Sequence, residues 1–280
     1  MWEMLQAMVL GTIQGLTEFL PISSSAHLRI YPELFGWGDP GAAFTAVIQI
    51  GTELAVLIYF RNDIWRIGSM WCRSLFRPEL RGHLDARMGW FIIVGSLPIV
   101  VLGIALKDVI EQDFRNLWII ATMLVVMGLV LGLADKLGSN SKKIKQITLR
   151  DAILMGGAQA LALVPGVSRS GATISMGRAL GYEREASTRY AFLLAIPAVV
   201  GAGLFELRKI GEPVAAGQTD YGWGPTIVAT VVSFLVGYAA IAWLLRYVST
   251  RSYTPFVIYR VVLGLSTMVL LGTGVLVAQA

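Results

Sequence analysis

The chain has 280 residues, of which 55% are hydrophobic and 15% are charged, with a formal net charge of +5. Soluble domains are about 25% charged, so this composition indicates a polytopic membrane protein. It excludes a disordered chain, and the single cysteine, Cys72, excludes an internal disulfide. The basic residues lie between long apolar stretches, which is typical of membrane topology and not of nucleic-acid binding.

The first apolar segment, 4–35, is interrupted by Pro21 and a run of serines, and a second interrupted segment lies at 152–182. Because residues 1–20 lack a basic start and a cleavage site, they are expected to belong to the first segment and not to a signal peptide. Interrupted segments are tolerated at membrane depth where they are buried in protein or line a watery cavity. Both are therefore interpreted as re-entrant helix–loop–helix hairpins. Uninterrupted runs long enough to span a membrane lie at 44–60, 89–106, 117–133, 190–207, 225–245 and 256–278.

The distribution of Lys and Arg predicts the orientation of the chain. The loops 61–87, 136–150 and 246–251 hold six, five and two basic residues. The alternate loops 29–39, 107–115 and 206–220 hold one, two and two. By the positive-inside rule the first group is cytoplasmic, which places both termini outside a bacterial inner (cytoplasmic) membrane.

The two interrupted segments resemble each other at an offset of 145 residues, which predicts an internal duplication. Each is followed by three predicted spans, and an odd number of spans per repeat inverts the second copy relative to the first. The predicted fold is therefore a single all-α polytopic membrane domain, 1–280, built as an inverted-topology repeat. Repeat 1 covers about 1–137 and repeat 2 about 150–280. The matched pairs are Gly11 with Gly156, Gln14 with Gln159, Leu16 with Leu161, Ser23 with Ser168, and Ser25 with Ser170.

The first interrupted segment carries an acid and a histidine. Gln14 and Glu18 are four residues apart and share one helix face. An ionisable Glu inside a membrane segment is costly and indicates a functional role. Ser24 and His27 are three residues apart, so the imidazole is expected one turn from the hydroxyl. There it would act as a base that takes the hydroxyl proton or as a nucleophile that attacks phosphorus itself.

The second interrupted segment combines glycines and hydroxyls with one arginine. Glycines let the backbone approach a ligand closely, and successive N–H groups form a nest for an anion. Arg169 adds a fork of donors matched to phosphate oxygens, and the helix that starts there directs its positive end at the ligand. The pattern predicts a phosphate site. A purely structural alternative is a kink in which Arg169 pairs with Glu18.

Several motifs together resemble one family, the bacterial undecaprenyl pyrophosphate phosphatases of bacitracin resistance. They are Gln14-x-x-x-Glu18, the Pro-x-Ser-Ser-x-x-His pattern at 21–27, the Pro-Gly-x-Ser-Arg-Ser-x-x-Thr pattern at 165–173, and the segments 192–197 and 255–260. The resemblance runs nearly end to end. Gln14 stands where many members have Glu, so it offers a metal a neutral oxygen and no charge.

The resemblance implies hydrolysis of undecaprenyl pyrophosphate to undecaprenyl phosphate and inorganic phosphate, which recycles the lipid carrier of peptidoglycan synthesis and confers bacitracin resistance. It also implies a site that faces the outer side and a divalent cation, Mg²⁺ or Ca²⁺, held by Glu18 and Gln14. The implied partners are a polyprenyl pyrophosphate and membrane lipids, with no nucleic acid. Carried over to this sequence, the catalytic residues are Glu18, Ser24, His27 and Arg169, and the substrate-binding residues are Ser23, Gly166, Ser168, Ser170 and Thr173.

Three further expectations remain. Glu53 is predicted to pair with Arg189 inside the bundle. The small-residue pattern Gly128-x-x-x-Gly132 permits close helix packing, including packing in a homodimer. The alternative function is a polyprenyl-phosphate transporter that uses the same anion site, because inverted repeats with interrupted helices are typical of alternating-access carriers.

Overall fold

The computed structural model describes residues 2–38, 40–106, 116–215 and 221–278. These residues form no β-strand, which confirms the predicted all-α class. The predicted outer loop 107–115 lies outside the described residues, and residues 206–215 continue a helix. The helices are α1 (Trp2–Phe19), α2 (Ser24–Leu34), α3 (Ala42–Tyr59), α4 (Arg61–Phe76), α5 (Leu84–Ala105), α6 (Leu117–Leu137), α7 (Leu149–Ala160), α8 (Arg169–Ala179), α9 (Arg184–Ala215), α10 (Trp223–Val248) and α11 (Thr254–Gly272).

Within the described residues, four helices are long and apolar enough to cross a membrane, namely α5, α6, α10 and α11. They overlap the predicted spans at 89–106, 117–133, 225–245 and 256–278. A fifth span results if α3 and α4, which are bent by 70° at their junction, are taken as one. The predicted span at 190–207 lies within α9, a helix of 32 residues. The chain is therefore a multi-span membrane protein.

Segment 61–87, which was counted as a loop between two spans, is largely helical, because most of it is α4. Ile64, Ile67 and Trp71 recur at helical spacing, and α4 packs against α5 through this face. The six arginines of the segment are exposed, at 61, 66 and 73 in α4, at 77 and 81 in the turn that follows, and at 87 in α5. Counting charges alone does not distinguish a solvated loop from an amphipathic helix.

Both interrupted segments form the predicted hairpins. Residues 20–23, the first loop, join α1 to α2, while a 3₁₀ turn (Leu161–Leu163) and residues 164–168, the second loop, join α7 to α8. Each loop ends on a serine with positive φ, 75° at Ser23 and 73° at Ser168. Only one other non-glycine residue in the described part of the chain has positive φ. Because side chains disfavour this conformation, its recurrence 145 residues apart indicates that the two loops end in the same backbone conformation.

The packing of the two hairpins is matched as well. A methyl group on Gly11 would collide with the carbonyl oxygen of Ala229 in α10, and one on Gly156 with that of Gly95 in α5. Gly11 and Gly156 are also 145 residues apart, so α1 approaches α10 in the way that α7 approaches α5. These matches are consistent with the predicted duplication, while the inversion and the boundaries of the repeats stay predictions.

The longer helices enclose the hairpins. α1 packs on α10, α8 packs on α6, α7 and α9, and α6 packs on α11. Gly128 and Gly132 face α11, where added methyl groups would lie 3.1 Å from Arg260 Cβ and 3.1 Å from a methyl of Val257. This small-residue face is thus used inside the chain and gives no support to a homodimer.

A buried ion-pair network holds the far end of α8. The Arg178 side chain is 1% exposed, and its Nε donates to Asp135 Oδ1 at 3.0 Å. Asp135 also accepts from Arg184 Nε at 2.7 Å and from the backbone N–H of Tyr253 at 3.1 Å. One carboxylate therefore joins α6, α8, α9 and the start of α11, which fixes the axis of α8 and so the position of its first residue, Arg169.

Candidate active site

The two loops meet at the carboxylate of Glu18 on α1. Ser24 and Arg169 are the first residues of α2 and α8, the helices that follow the loops. The Ser24 hydroxyl donates to Glu18 Oε2 at 2.6 Å, and the Arg169 guanidinium forms an ion pair with Glu18 Oε1. The Glu18 side chain is 9% exposed and that of Arg169 is 22% exposed. The structure thus joins the two predicted constellations, and Arg169 makes the pair that the structural alternative describes.

Reciprocal hydrogen bonds connect the loops. Ser25 Oγ accepts from the backbone N–H of Gly166 at 3.4 Å, and Ser170 Oγ donates to the carbonyl of Leu20 at 3.2 Å. Ser25 and Ser170 are themselves 145 residues apart, so the same position of each hairpin contacts the backbone of the opposite loop. The loops are therefore fixed relative to each other by matched contacts.

Arg260 on α11 lies against both loops and is fully buried. It donates to the carbonyl of Pro21 at 3.0 Å in the first loop and to those of Gly166 and Val167 at 2.8 and 3.0 Å in the second. Its other hydrogen bonds within the described residues also go to backbone carbonyls. A guanidinium in this position joins the loops and places positive charge beside the site.

Gln14 connects the site to α3. It is 1% exposed, and its amide nitrogen donates to Glu18 Oε2 at 3.2 Å and to Thr52 Oγ1 at 3.4 Å. The next residue on α3, Glu53, is 8% exposed and accepts from Gln49 Nε2 at 3.2 Å. A second carboxylate therefore lies close to the Glu18–Arg169 pair, on a helix that no sequence motif had marked.

Two cavities border the Glu18–Arg169 ion pair. The larger, of about 170 Å³, brings together hydroxyls from both hairpins. A smaller cavity includes Thr52, Glu53 and Ser170 beside the same ion pair. The larger cavity therefore offers a phosphate group several donors and one cation. Its lining residues are Glu18, Ser23, Ser24, Ser25, Gln49, Ile99, Ala162, Ser168 and Arg169.

His27 is turned away from Ser24. Its Nδ1 lies 2.7 Å from the carbonyl oxygen of Ser23, and its Nε2 lies 2.7 Å from the hydroxyl of Tyr259. A carbonyl only accepts, so Nδ1 carries the proton, and in the neutral ring Nε2 accepts from Tyr259. The ring is 2% exposed and stacks on Tyr31 and Tyr259. The predicted contact between Ser24 and His27 is therefore wrong, because α2 directs Ser24 toward α1 and His27 toward α11.

The two cap serines differ in their hydrogen bonds. Ser168 Oγ accepts from the backbone N–H of Gly171 at 3.1 Å and so caps α8. Ser23 makes no such capping bond to α2. Ser23 lies 3.1 Å from Ser25 Oγ, as Ser168 lies 3.2 Å from Ser170 Oγ. Both cap serines line the larger cavity.

Two of the predicted substrate-binding residues support the second loop from behind. Thr173 is fully buried and its hydroxyl donates to the carbonyl of Arg169 at 3.0 Å. Gly166 has φ of 92°, and a Cβ there would lie 2.5 Å from the carbonyl oxygen of Ile120 in α6. Thr173 therefore bonds within α8, Gly166 permits the close contact of the second loop with α6, and neither residue lines the larger cavity.

The donor set near the ion pair bears on the implied cation. The described residues contain no group of three His, Cys, Asp or Glu side chains arranged for a metal. The available donors are oxygens, from the carboxylates of Glu18 and Glu53 and the amides of Gln14 and Gln49. Mg²⁺ is commonly held by one or two carboxylates together with substrate phosphates. The chemistry of these donors fits a hard cation that shares its coordination with the substrate, provided that Arg169 leaves Glu18.

The predicted pair of Glu53 with Arg189 was also wrong. Arg189 on α9 donates to Asp63 Oδ2 on α4 at 2.5 Å, and its guanidinium lies 5.5 Å from the ring centroid of Phe60. Asp63 lies in the segment that was counted as a loop, so the sequence did not mark it as a partner of Arg189. Glu53 is left at the site, where it lines the smaller cavity together with Arg169.

Sequence reasoning left Tyr259 and Gln49 without a role. Tyr259 lies within the motif at 255–260, so an aromatic hydroxyl directly before Arg260 was the available signal. Gln49 and Glu53 are four residues apart on α3, and this spacing of two polar residues in an apolar span was a second signal.

The chain is similar in sequence to known proteins over nearly its whole length. A family model described as "Bacitracin resistance protein BacA" matches residues 7–266. An undecaprenyl-diphosphatase of Nocardioides sp. is 77% identical over 278 residues, covering 99% of this chain and 100% of the relative. An undecaprenyl-diphosphatase of Micrococcus luteus is 57% identical over 276 residues, covering 98% and 99%. An undecaprenyl-diphosphatase 2 of Agrobacterium fabrum is 58% identical over 276 residues, covering 98% of each chain.

Proposed function

The chain belongs to the bacitracin resistance protein BacA family, and we propose that its joined loops hydrolyse undecaprenyl pyrophosphate to undecaprenyl phosphate and inorganic phosphate. The reaction returns the lipid carrier to peptidoglycan synthesis and so confers resistance to bacitracin. A multi-span helical body suits a substrate whose polyprenyl tail lies in the bilayer while its pyrophosphate reaches a polar cavity.

The hydrogen bond from Ser24 to Glu18, beside Arg169, is the observation that carries this proposal. A hydroxyl held by a carboxylate base is the arrangement of an activated nucleophile. A transporter that binds and releases an anion needs Arg169 and the hydrogen-bond donors of the cavity, but it does not need the Ser24–Glu18 pair. The site therefore favours a hydrolase over a polyprenyl-phosphate transporter.

The first step transfers the terminal phosphate to Ser24. With the pyrophosphate in the larger cavity, Arg169 exchanges Glu18 for phosphate oxygens. Ser24 Oγ then attacks the terminal phosphorus while its proton passes to Glu18. The bond between that phosphorus and the bridging oxygen breaks, and undecaprenyl phosphate leaves with the proton that Glu18 returns. Arg169 and the backbone N–H groups at the start of α8 stabilise the charge that develops on the oxygens.

The second step releases phosphate from the enzyme. Water attacks the phosphoserine, Glu18 takes a proton from the water, and Ser24 Oγ leaves as it takes that proton from Glu18. Glu18 thus serves as base and then as acid in each step, which suits a carboxylate that contacts the nucleophile directly.

His27 has a positioning role in this proposal. Its Nδ1–H holds the Ser23 carbonyl next to the strained φ of that residue, and Tyr259 holds its other nitrogen. Direct attack by His27, or by a water that it activates, would require the imidazole to leave Tyr259. Rapid quench with substrate labelled in its terminal phosphate separates the three nucleophiles. We expect label on Ser24. Label on His27 would overturn the assignment, and label on neither would assign the attack to water.

A divalent cation, Mg²⁺ or Ca²⁺, is part of the proposal, with Glu18 and Gln14 as its protein ligands and Glu53 beside them. When bound, it would supply positive charge that offsets the charge on the phosphate oxygens. Calorimetric titration of the metal into protein with a non-hydrolysable pyrophosphate tests this without turnover. Binding should weaken in Gln14→Leu. Equal binding in that variant would remove Gln14 from the ligand set.

The proposed orientation places both termini and the site on the outer side of the bacterial inner membrane. The support is the positive-inside pattern of the loops. A Ser141→Cys variant in a Cys72→Ser background provides a reporter in the basic loop 136–150. An impermeant maleimide should label it in inverted vesicles and not in intact spheroplasts. Labelling in spheroplasts would reverse the orientation.

A further inference from the structure

α4 and the turn after it form a surface that the proposed reaction does not use. α4 leaves α3 at an angle of 70° and packs on α5. Two large side chains on its outer side, Trp65 and Phe76, are 78% and 86% exposed. An amphipathic helix with exposed aromatic residues and several arginines is typical of a helix that lies at the membrane interface.

An apolar groove of about 160 Å³ runs between α4, α5 and α9. Gly68 lies in its wall, and a Cβ added there would meet nothing within 4 Å. The groove is therefore open over this glycine and has the dimensions and apolar lining that suit part of an acyl chain. Its lining residues are Ile64, Ile67, Gly68, Trp71, Gly89, Ile92, Ile93, Leu193, Ile196 and Pro197.

Trp71 lines this groove, and its indole carries an unpaired donor. Its Nε1 is buried and has no hydrogen-bond partner within the described residues. The indole is fixed by Gly89, where an added Cβ would lie 2.8 Å from its Cβ, and by Trp90, whose ring centroid is 5.5 Å away. A buried donor without an acceptor is costly, so the site lacks an oxygen that a ligand can provide.

The charge of the segment is strongly positive. Residues 61–87 contain six arginines and three acids. Asp63 accepts from Arg66 at 2.9 Å and also binds Arg189, while Asp85 lies 3.4 Å from Arg66. Two of the acids are thus already paired. The arginines beyond Arg66, in the last turn of α4 and in the turn that follows, are exposed and in excess.

We propose that α4, α5 and α9 form a binding site for an anionic phospholipid. One acyl chain lies in the groove over Gly68, and the indole N–H of Trp71 donates to an ester or phosphate oxygen. The exposed arginines at 73, 77 and 81 attract the negatively charged headgroup. Basic residues next to a membrane favour anionic lipids by roughly 1 kcal/mol each, which corresponds to about fivefold in binding.

The test counts retained lipids by native mass spectrometry. The full-length protein is reconstituted in phosphatidylcholine nanodiscs doped with phosphatidylglycerol and then released into detergent. We expect one phosphatidylglycerol to stay bound in preference to phosphatidylcholine. Equal retention of the two lipids would overturn the proposal.

Two variants probe the apolar groove and the unpaired donor. Gly68→Leu fills the groove and should abolish retention, and Trp71→Phe keeps the ring and should reduce it. Gly272→Leu is the matched control, because that glycine also has free space around it and lies at the far end of α11. Retention by Gly68→Leu equal to that of the control would exclude the groove as the acyl site.

A second pair of variants separates local charge from net charge. Arg73→Gln/Arg77→Gln/Arg81→Gln should weaken retention at least about tenfold. Lys143→Gln/Lys145→Gln/Arg150→Gln removes the same number of charges from another exposed loop and should leave retention unchanged. Equal losses in both would reduce the effect to net charge and refute a site at α4. The readout is bound lipid and not turnover, so its failure would leave the proposed hydrolase untouched.

Discussion

The first and second loops end in the same backbone conformation and carry different chemistry. Each ends on a serine with φ near 74°, and each second helix starts at the next residue. That residue is Ser24 in the first hairpin and Arg169 in the second, two positions related by the offset of 145. Both side chains reach Glu18. The matched hairpins thus place a hydroxyl, the proposed nucleophile, on one oxygen of the Glu18 carboxylate and a cation on the other.

Neither hairpin forms the proposed site alone. The first hairpin has the hydroxyl and the carboxylate but no cation within its loop. The second has the cation and the capping serine but carries Gln159 and Leu163 where the first has Gln14 and Glu18. Gln159 has no partner for its amide within the described residues. The chemistry therefore depends on the bonds between loops that Ser25, Ser170 and Arg260 make.

Removing the proposed nucleophile, Ser24, should have the largest effect on activity. Ser24→Ala should lower the release of phosphate from undecaprenyl pyrophosphate by about 10⁴-fold or more, since loss of a nucleophile removes the covalent route. The assay uses purified protein in detergent, with thermal melting as the control for folding. A variant that keeps full activity would refute the serine mechanism and return attention to His27 or water.

Removing the bidentate donor at the start of α8, the Arg169 guanidinium, should have the next largest effect. Arg169→Lys keeps the charge but loses the bidentate geometry, and we expect turnover to fall on the order of 10²–10³-fold. Binding of inorganic pyrophosphate, measured by calorimetry, should weaken in parallel. Near-wild-type turnover in Arg169→Lys would show that a single positive charge at this position is sufficient and that bidentate binding is not required.

Arg260 should affect both loops at once. Arg260→Met leaves at least three loop carbonyls without a donor, so we expect a loss of at least about 3 kcal/mol in the free energy of unfolding. Urea or thermal melting in one detergent measures this loss. Arg260→Lys keeps a donor and should recover part of it. An unchanged melting temperature in Arg260→Met would show that the loops hold together without this cation.

The smallest expected effect distinguishes the two cap serines. Ser168→Ala loses both the capping bond to Gly171 and the contact with Ser170, whereas Ser23→Ala loses only the contact with Ser25. Ser168→Ala should therefore be less stable than Ser23→Ala by about 1 kcal/mol. Equal melting temperatures would mean that the cap contributes nothing and that the loops are energetically alike.

Local patterns predicted the elements of the site well. Pro21 and the following serines marked the end of α1 and the start of α2, because proline and small polar residues have fixed conformational preferences. The glycines at 11 and 156 supported the predicted duplication, and the structure shows a close helix contact at each of them. By contrast, the charges of 61–87 predicted a loop where α4 forms, because a count of arginines ignores the spacing of Ile64, Ile67 and Trp71.

The amino-acid sequence is sufficient to predict that this protein lies in a membrane and that it contains two interrupted hairpins. It also shows which polar residues the hairpins carry. Composition and helical spacing decide these properties locally. The contact partners follow only from the tertiary structure. Ser24 bonds to Glu18 and not to His27, Arg189 bonds to Asp63 and not to Glu53, and Gly128 packs against α11. Helical periodicity shows which residues share a face but not what that face meets. Glu18 and Arg169 are 151 residues apart, and His27 and Tyr259 are 232 apart, so only the packed bundle brings them together.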